Sequence, residues 1–277
     1  MMSSFVAPTV PAAAKITVRD LAIGFGATVI QHDVSFEVPT GAIFAIMGGS
    51  GCGKSTLLKA MIGLLRPQAG TIHVGDEDYW AADAPRRAVL GRRFGVLFQS
   101  GALWSSMTVA QNVALPLSLL TSLDPASINA LVHVKLSLVG LAGAADVLPA
   151  ALSGGMRKRA GLARALALDP EVLFFDEPSA GLDPITARRL DDLILEVRDG
   201  FGTTIVLVSH ELPSLFGICD NGVFLDADTK TVLAHGAPTL LRDTCAHPTV
   251  HAFMTRSRPS GAPGGPGAGP GESRRGV

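Results

Sequence analysis

The stretch that decides the fold is GAIFAIMGGSGCGKSTLLKAMIGLL, residues 41–65. Its first part, residues 41–48, is an apolar run of the kind that forms a strand buried on both faces of a parallel sheet. Its last part, residues 55–65, repeats apolar side chains at helical spacing and predicts an amphipathic helix. The pattern GxxxxGK[ST] lies between them, from Gly48 to Ser55. We therefore expect a strand, a glycine-rich turn and a helix in direct succession.

This turn has the composition of a phosphate-binding loop. Glycines let the backbone wrap tightly, so that successive N–H groups and the positive end of the next helix point at phosphate oxygens. Lys54 is expected to reach the β- and γ-phosphates, and the Ser55 hydroxyl to ligate Mg²⁺. The predicted nucleotide-binding residues are Gly48, Gly49, Ser50, Gly51, Cys52, Gly53, Lys54, Ser55 and Thr56. We interpret Cys52 as an inert buried thiol.

Two further apolar runs predict buried strands, residues 171–178 (EVLFFDEP) and residues 203–210 (TTIVLVSH). Helical patterns alternate with the strands. One of them, residues 153–168, begins at a serine suited to N-capping, and the alternation indicates an α/β fold. The first run ends in an acidic pair at a strand end. Asp176 is expected to hold Mg²⁺, and Glu177 to orient and deprotonate an attacking water.

The rest of the chain adds two features to this core. Residues 15–25 and 34–39 alternate in polarity and predict a small antiparallel sheet near the N-terminus. Residues from about 100 to 168 contain helical patterns and no buried-strand run, which predicts a helical insertion. The predicted fold class is therefore α/β, a P-loop NTPase with a mainly parallel core sheet, an antiparallel N-terminal sheet and a helical insertion.

Composition bounds the domain organisation. The 277 residues include 47% hydrophobic residues, enough for a large core. We expect one domain over residues 15–256, a loose leader over residues 1–14 without signal-peptide features, and a Gly/Pro-rich tail over residues 257–277. The uncharged run from residue 94 to 123 is interrupted by Gln, Asn, Pro and Ser, so we expect no membrane span.

The net charge and the cysteines exclude some classes of partner and of structural site. Lys and Arg number 23 against 24 Asp and Glu, a net charge of −1, so no global field recruits nucleic acid. The three cysteines form no CxxC or Cys/His cluster, which argues against a disulfide framework or structural zinc and is consistent with a reducing cytoplasm.

The order of further motifs gives a resemblance to a known family. LSGGM at residues 152–156 precedes a basic helix, DEPSAGLD at residues 176–183 follows, and His210 stands in VSHE. Together with the P-loop they resemble the ATP-binding cassette (ABC) ATPases, from about Lys15 to Arg256. The resemblance implies that ATP is the nucleotide and Mg²⁺ its metal.

The resemblance also implies roles for residues outside the P-loop. Gln99 matches the Q-loop, which contributes to catalysis and to the metal site, and His210 matches the switch histidine. Phe25 matches the aromatic residue that stacks on adenine. The start of the LSGGM helix would bind the γ-phosphate of a nucleotide held by the other subunit of a homodimer, through Ser153, Gly154 and Gly155. Met156 departs from the usual Gln, and we expect activity to survive this change.

A finer resemblance comes from FQSGALWSSMTVAQNVALPL, residues 98–117, and from LSGGM with its methionine. These segments are similar to the ATPases of Mla-type systems, which work with MCE-class proteins to move phospholipids. The resemblance implies integral-membrane permease subunits, an MCE-type lipid-binding protein and a peripheral position on the cytoplasmic face of the bacterial inner membrane. It also implies an apolar patch where the permease docks, made of Leu103, Trp104, Met107, Val109 and Val113.

Three alternatives stay open at this stage. The patch residues could instead pack in the core. The ATPase could serve an importer for a polar solute such as an amino acid. It could also be a soluble single-cassette ATPase that acts in assembly rather than transport.

Overall fold

A computed structural model describes residues 14–257. The predicted leader and tail lie outside this range, apart from Ala14 and Ser257. The strands are β1 Ala14–Phe25, β2 Thr28–Pro39, β3 Ile43–Gly48, β4 Ala69–Val74, β5 Glu77–Asp78, β6 Phe94–Leu97, β7 Val172–Asp176, β8 Thr204–Val208, β9 Asn221–Leu225 and β10 Val232–His235. The helices are α1 Lys54–Met61, α2 Ala84–Gly91, α3 Val109–Leu120, α4 Pro125–Leu138, α5 Gly154–Ala165, α6 Pro184–Phe201, α7 Leu212–Ile218, α8 Pro238–Thr244 and α9 Pro248–Thr255.

The N-terminal strands form an antiparallel sheet in the order β2-β1-β4-β5. Alternate side chains on its two long strands are buried, among them Ile16 and Val18 in β1 and Val34 and Phe36 in β2. This alternation is the pattern of a sheet with one face against a core. The predicted antiparallel N-terminal sheet is thus confirmed, although β2 begins at Thr28, earlier than expected.

The core sheet has the order β10-β9-β3-β8-β7-β6. Its neighbours from β9 to β6 pair in parallel, and β10 alone joins antiparallel at one edge. Every residue of β3 and β8 is buried, because helices and the second sheet cover both faces. The α/β fold with a mainly parallel core sheet is confirmed. Parallel strands end together, so Gly48, Asp176 and Val208 lie at one edge.

Between β6 and β7 the described chain contains helices and no strand. Thr108, Asp124 and Ser153 cap the N-termini of α3, α4 and α5, each with a side-chain oxygen that accepts a backbone N–H. The three helices bury their apolar faces in one core, which also contains Leu173 and Phe175 of β7. No helix within residues 14–257 is long and apolar enough to cross a membrane.

Three sequence predictions need correction. α1 ends at Met61 rather than at residue 65, because Gly63 adopts a left-handed φ of 84° that breaks the helix. α5 ends at Ala165, three residues earlier than expected. The apolar surface patch is wrong for Val109 and Val113, which are fully buried because α3 turns this face towards the core.

Candidate nucleotide-binding site

The turn between β3 and α1 borders a cavity of about 870 Å³, the P-loop cavity. Every residue from Gly48 to Thr56 except Cys52 lines it. Three residues predicted from distant parts of the chain line it too, namely Gln99 after β6, Glu177 after β7 and His210 after β8. The parallel sheet explains this convergence, because side chains that follow neighbouring parallel strands emerge at the same edge.

The start of α1 and the side chain of Lys54 make this part of the cavity suited to bind an anion. The first N–H groups of a helix have no partner inside it, and within the described chain no side chain caps those of α1. Such a helix start attracts anions through its unpaired N–H groups and its dipole. The Lys54 ammonium lies over the same loop and donates to the carbonyls of Gly48 at 2.9 Å and Gly49 at 2.8 Å. The loop therefore concentrates positive charge and free donors at one point.

A pair of oxygen ligands stands beside the loop. The Ser55 hydroxyl donates to Asp176 Oδ1 at 2.9 Å, which joins the first turn of α1 to the end of β7. Hydroxyl and carboxylate oxygens are the donors that Mg²⁺ takes from proteins, usually with phosphate oxygens and water. These two oxygens are close enough to share one ion, so the residues present fit the predicted metal. Gln99, the third predicted ligand, is exposed at the rim of the cavity.

Glu177, the residue predicted to act on the attacking water, lines the P-loop cavity. It is buried, and its backbone has a left-handed φ of 51°, which is costly for a residue with a side chain. Its N–H donates to the Val208 carbonyl at 2.9 Å. One carboxylate oxygen lies 2.8 Å from His210 Nδ1, and the other has no hydrogen-bond partner within residues 14–257. A buried carboxylate that lines a binding cavity and keeps one oxygen unpaired is suited to accept a proton.

His210 connects this carboxylate to the outer part of the cavity. Its ring is half exposed, and its second nitrogen lies 3.6 Å from a carboxylate oxygen of Glu211. A histidine held at one nitrogen has a fixed ring orientation, and the other nitrogen can then donate to a ligand. The pair of Glu177 and His210 is thus arranged as a proton acceptor with an orienting group.

The LSGGM segment lies apart from the P-loop cavity. Ser153 is the N-cap of α5, and its hydroxyl accepts the Met156 N–H at 3.2 Å. Ser153 and Gly155 line a different cavity of about 410 Å³, together with Thr186 on α6, and Gly154 lines neither cavity. The described chain therefore does not bring these residues to the phosphate-binding loop of the same molecule.

Comparison with known proteins decides what this arrangement belongs to. The family model described as ABC transporter matches residues 31–180, a segment that runs from β2 through the P-loop and Glu177. The chain belongs to the ABC transporter family. It is an ATPase of that family, as its motif order predicted. The roles given above for its individual site residues remain predictions.

Named relatives of this ABC ATPase cover most of it. It is 42% identical over 239 residues to "Intermembrane phospholipid transport system ATP-binding protein MlaF" of Escherichia coli K12, which is 86% of this chain and 88% of the relative. It is also 42% identical over 248 residues to "Probable ribonucleotide transport ATP-binding protein mkl" of Mycobacterium leprae, 90% of this chain and 71% of that one. A solved "Dimeric Structure of MJ0796, a Bacterial ABC Transporter Cassette" aligns with a TM-score of 0.73 and 25% identity, covering 79% of this chain and 97% of the other.

Besides the LSGGM residues, Phe25 and Cys52 are predicted nucleotide contacts that do not line the P-loop cavity. Phe25 ends β1 beside the turn to β2, and 57% of its surface is exposed. It does not line the cavity, so its predicted stacking on adenine stays a prediction. Cys52 is buried under the loop, 3.9 Å from the Lys54 ammonium. Burial raises the pKa of its thiol against the pull of Lys54, which agrees with an inert thiol.

Sequence reasoning missed several residues that shape the ABC ATPase site. Ala252, Phe253 and Arg256 of the α9 region, the last helix of the described chain, line the P-loop cavity. Their position depends on how α9 folds back, for which the local sequence carries no signal. Gln31 is fully buried in β2, and its amide donates to the carbonyls of Cys52 at 2.8 Å and of Asp226. A polar residue inside an alternating strand pattern was the available signal.

Proposed function

We propose that this ABC ATPase hydrolyses ATP in the P-loop cavity and powers phospholipid transport through a separate permease. The observation that carries the catalytic part is the 2.8 Å contact between Glu177 and His210 at the edge of the cavity that the P-loop lines. Transport is the activity of the family. The lipid cargo is supported by the 42% identity, over 86% of the chain, to a relative named for intermembrane phospholipid transport.

The chain's own groups divide the chemistry among them. The backbone N–H groups of the P-loop and the Lys54 ammonium bind the phosphates and stabilise the negative charge that develops during transfer. Ser55, Asp176 and Gln99 would hold Mg²⁺, which neutralises phosphate charge when bound. Glu177 accepts the proton of the attacking water, and His210 fixes the Glu177 carboxylate and donates towards the γ-phosphate.

A homodimer completes this proposed site. Ser153 and Gly155 stand at the free N-terminus of α5 and line a cavity other than the P-loop cavity, so a second copy is needed to bring them to a nucleotide. A two-fold arrangement satisfies this requirement for both copies at once. Each nucleotide would then lie between one P-loop and the other copy's α5. The dimeric solved structure of a related cassette supports the same assembly.

An apolar groove supports attachment to a membrane subunit. A cavity of about 450 Å³ lies between β6 and the C-terminal half of α3, lined by Phe94, Leu115 and Leu119 among others. Leu119 is 71% exposed, and Trp104, which precedes α3 and does not line this groove, is 59% exposed. Exposed apolar side chains around a groove suit an apolar helix of a partner. We assign this groove to the permease, which would place the ATPase peripherally on the cytoplasmic face of the inner membrane.

The cargo is tested by reconstitution. The complex of this chain with its permease, placed in liposomes, should show ATPase activity that responds to phospholipid or to an MCE-type lipid-binding protein. The name of the mycobacterial relative supports a second candidate, a polar cargo of the nucleotide class. Stimulation by a ribonucleotide or by an amino-acid-binding protein, with no response to lipid, would replace the lipid proposal. A soluble assembly ATPase would instead show no association with a permease.

A further inference from the structure

A buried lysine on α5 contacts the backbone of Glu177. Lys158 is only 6% exposed, although it stands in the basic run Arg157, Lys158, Arg159. Its ammonium donates to the Glu177 carbonyl at 3.0 Å, a hydrogen bond that is buried at both ends. Lys158 therefore joins the helix that begins at Ser153 to the end of β7.

This position is costly for a cation, so packing alone does not account for a lysine here. Burial lowers the pKa of Lys158, and attraction to the carboxylates of Glu177 and Asp176 opposes that shift. An ammonium withdrawn from water is retained where it is hydrogen-bonded and close to negative charge. Both conditions are met here at the residue proposed as the base.

The Glu177 backbone is strained and needs such support. Its left-handed φ of 51° disfavours any side chain, and a conformation of this kind persists only where surrounding contacts fix it. Three described contacts do so. The N–H is bound to Val208 at 2.9 Å, and the carbonyl accepts the Lys158 ammonium at 3.0 Å and the Ala180 N–H at 3.2 Å. Of these three, the Lys158 contact is the one made by a side chain.

We propose that Lys158 is a positioning residue for Glu177 and that, through it, α5 links the two nucleotide sites of the dimer. This inference rests on the proposed function, which places Ser153 at the nucleotide bound by the other copy. The same short helix then touches one nucleotide at its start and holds the base of the other site one turn further on. Binding at the first site fixes α5, and α5 fixes the Glu177 carbonyl, so each site becomes competent when the other is filled.

The test replaces Lys158 in the full-length chain and measures steady-state ATP hydrolysis, binding of a fluorescent ATP analogue and melting temperature. Lys158→Met keeps the length and removes the donor and the charge. We expect kcat to fall about tenfold to hundredfold, the loss typical of one charged hydrogen bond, with nucleotide affinity within about twofold of wild type. The Hill coefficient for ATP should fall towards one. Lys158→Gln, which restores an N–H donor, should recover part of kcat.

Lys135→Met is the matched control. Lys135 is also buried, and it pairs with Asp169 on the loop before β7, away from the P-loop cavity. This control should retain wild-type kcat. The positioning role is overturned if Lys158→Met and Lys158→Gln both keep kcat within about twofold, or if Lys135→Met loses as much. A fall in kcat with a wild-type Hill coefficient would overturn the link between sites and keep the positioning role.

Failure of the proposed function gives a different pattern. If the wild-type chain does not hydrolyse ATP, or if Lys54→Ala hydrolyses it as fast as wild type, the P-loop assignment itself is wrong. That result does not depend on any Lys158 variant. If Lys158→Met lowers the melting temperature strongly, the kcat of Lys158→Gln alone tests the positioning role, because glutamine preserves polarity at the same position.

Discussion

Replacement of Glu177 by glutamine separates nucleotide binding from hydrolysis. The amide keeps the size of the side chain and an oxygen to face His210, whose Nδ1 lies 2.8 Å from the carboxylate. The amide cannot take a proton from water, which is the step proposed for the Glu177 carboxylate. General-base catalysis contributes about 10²- to 10⁴-fold, so we expect Glu177→Gln to lower kcat by that factor.

The fold should tolerate this change. The Glu177 backbone donates to Val208 and accepts from Lys158 and Ala180, and glutamine leaves these three hydrogen bonds intact. The substitution also removes a buried negative charge. We therefore expect the free energy of unfolding to stay within about 1 kcal/mol of wild type. ATP binding should persist, and the bound form should accumulate as a homodimer because the γ-phosphate that joins the copies is not removed.

The assays are single-turnover hydrolysis and size-exclusion chromatography, both with Mg-ATP. Glu171→Gln is the control, because Glu171 precedes the same strand β7 at its opposite end and lies outside the P-loop cavity. The double variant Glu177→Gln with Ser153→Arg should remain monomeric if α5 of one copy contacts the nucleotide of the other. The reasoning is refuted if Glu177→Gln hydrolyses ATP at the wild-type rate or stays monomeric with ATP bound.

Four further outcomes are expected. Lys54→Ala should lose on the order of 10²-fold or more in kcat, because it removes the cation over the P-loop, and phosphate-release kinetics measure this loss. Gly48→Ala should destabilise the fold by about 1–3 kcal/mol in urea titrations, since φ is 144° and the new Cβ would lie 2.3 Å from a β9 carbonyl. Hydrogen bonds from Arg93 and then Lys15 lower the pKa of Glu171 from 4.5 to about 2. The folded state therefore binds this proton less readily than the unfolded chain, so its stabilisation is present above pH 4.5 and lost as the pH falls towards 2. Because the Glu171 side chain is 44% exposed and solvent screens its ion pairs, the loss is about 1 kcal/mol at most, and acid titrations of Glu171→Gln should lack it. Trp104→Asp should leave ATP binding unchanged and abolish stimulation by the permease, as measured by ATPase assays with and without the membrane complex; full stimulation would remove Trp104 from the docking surface.

The strongest sequence signals were those with a local physical cause. The order of strand, loop and helix within residues 41–65 was predicted correctly, although the helix ends at Met61. A buried strand, a glycine-rich turn and an amphipathic helix each have their own composition. The capping role of Ser153 followed from its place before a helical pattern, and its hydroxyl accepts the expected N–H. The resemblance to the ABC ATPases implied roles for Gln99 and His210, and the structure places both beside the P-loop cavity with Glu177, because residues that follow neighbouring parallel strands emerge at one edge.

Features that depend on packing between distant segments could not be predicted. Lys158 stands in a basic run that reads as a solvated helix face, and only the packing of α5 against the end of β7 shows that it is buried. The position of α9 beside the P-loop cavity likewise depends on packing between segments that are distant in the sequence. The prediction that Val109 and Val113 belong to a surface patch was wrong for a related reason. An apolar stretch at the surface and an apolar stretch in the core have the same composition.

The hydrogen bonds of α5 connect the segment before α3, which contains Trp104, to Glu177, the proposed base. Arg164, near the end of α5, donates to the carbonyls of Ala102 at 2.6 Å and Gly101 at 3.1 Å, in the segment between Gln99 and Trp104. Lys158 on the same helix donates to Glu177. Hydrogen bonds within a helix keep its residues at fixed separations, so we expect a shift of the segment before α3 to be passed on through α5. A permease helix that presses on Trp104 would therefore act on the same strained residue that hydrolysis needs, without a contact of its own in the nucleotide cavity.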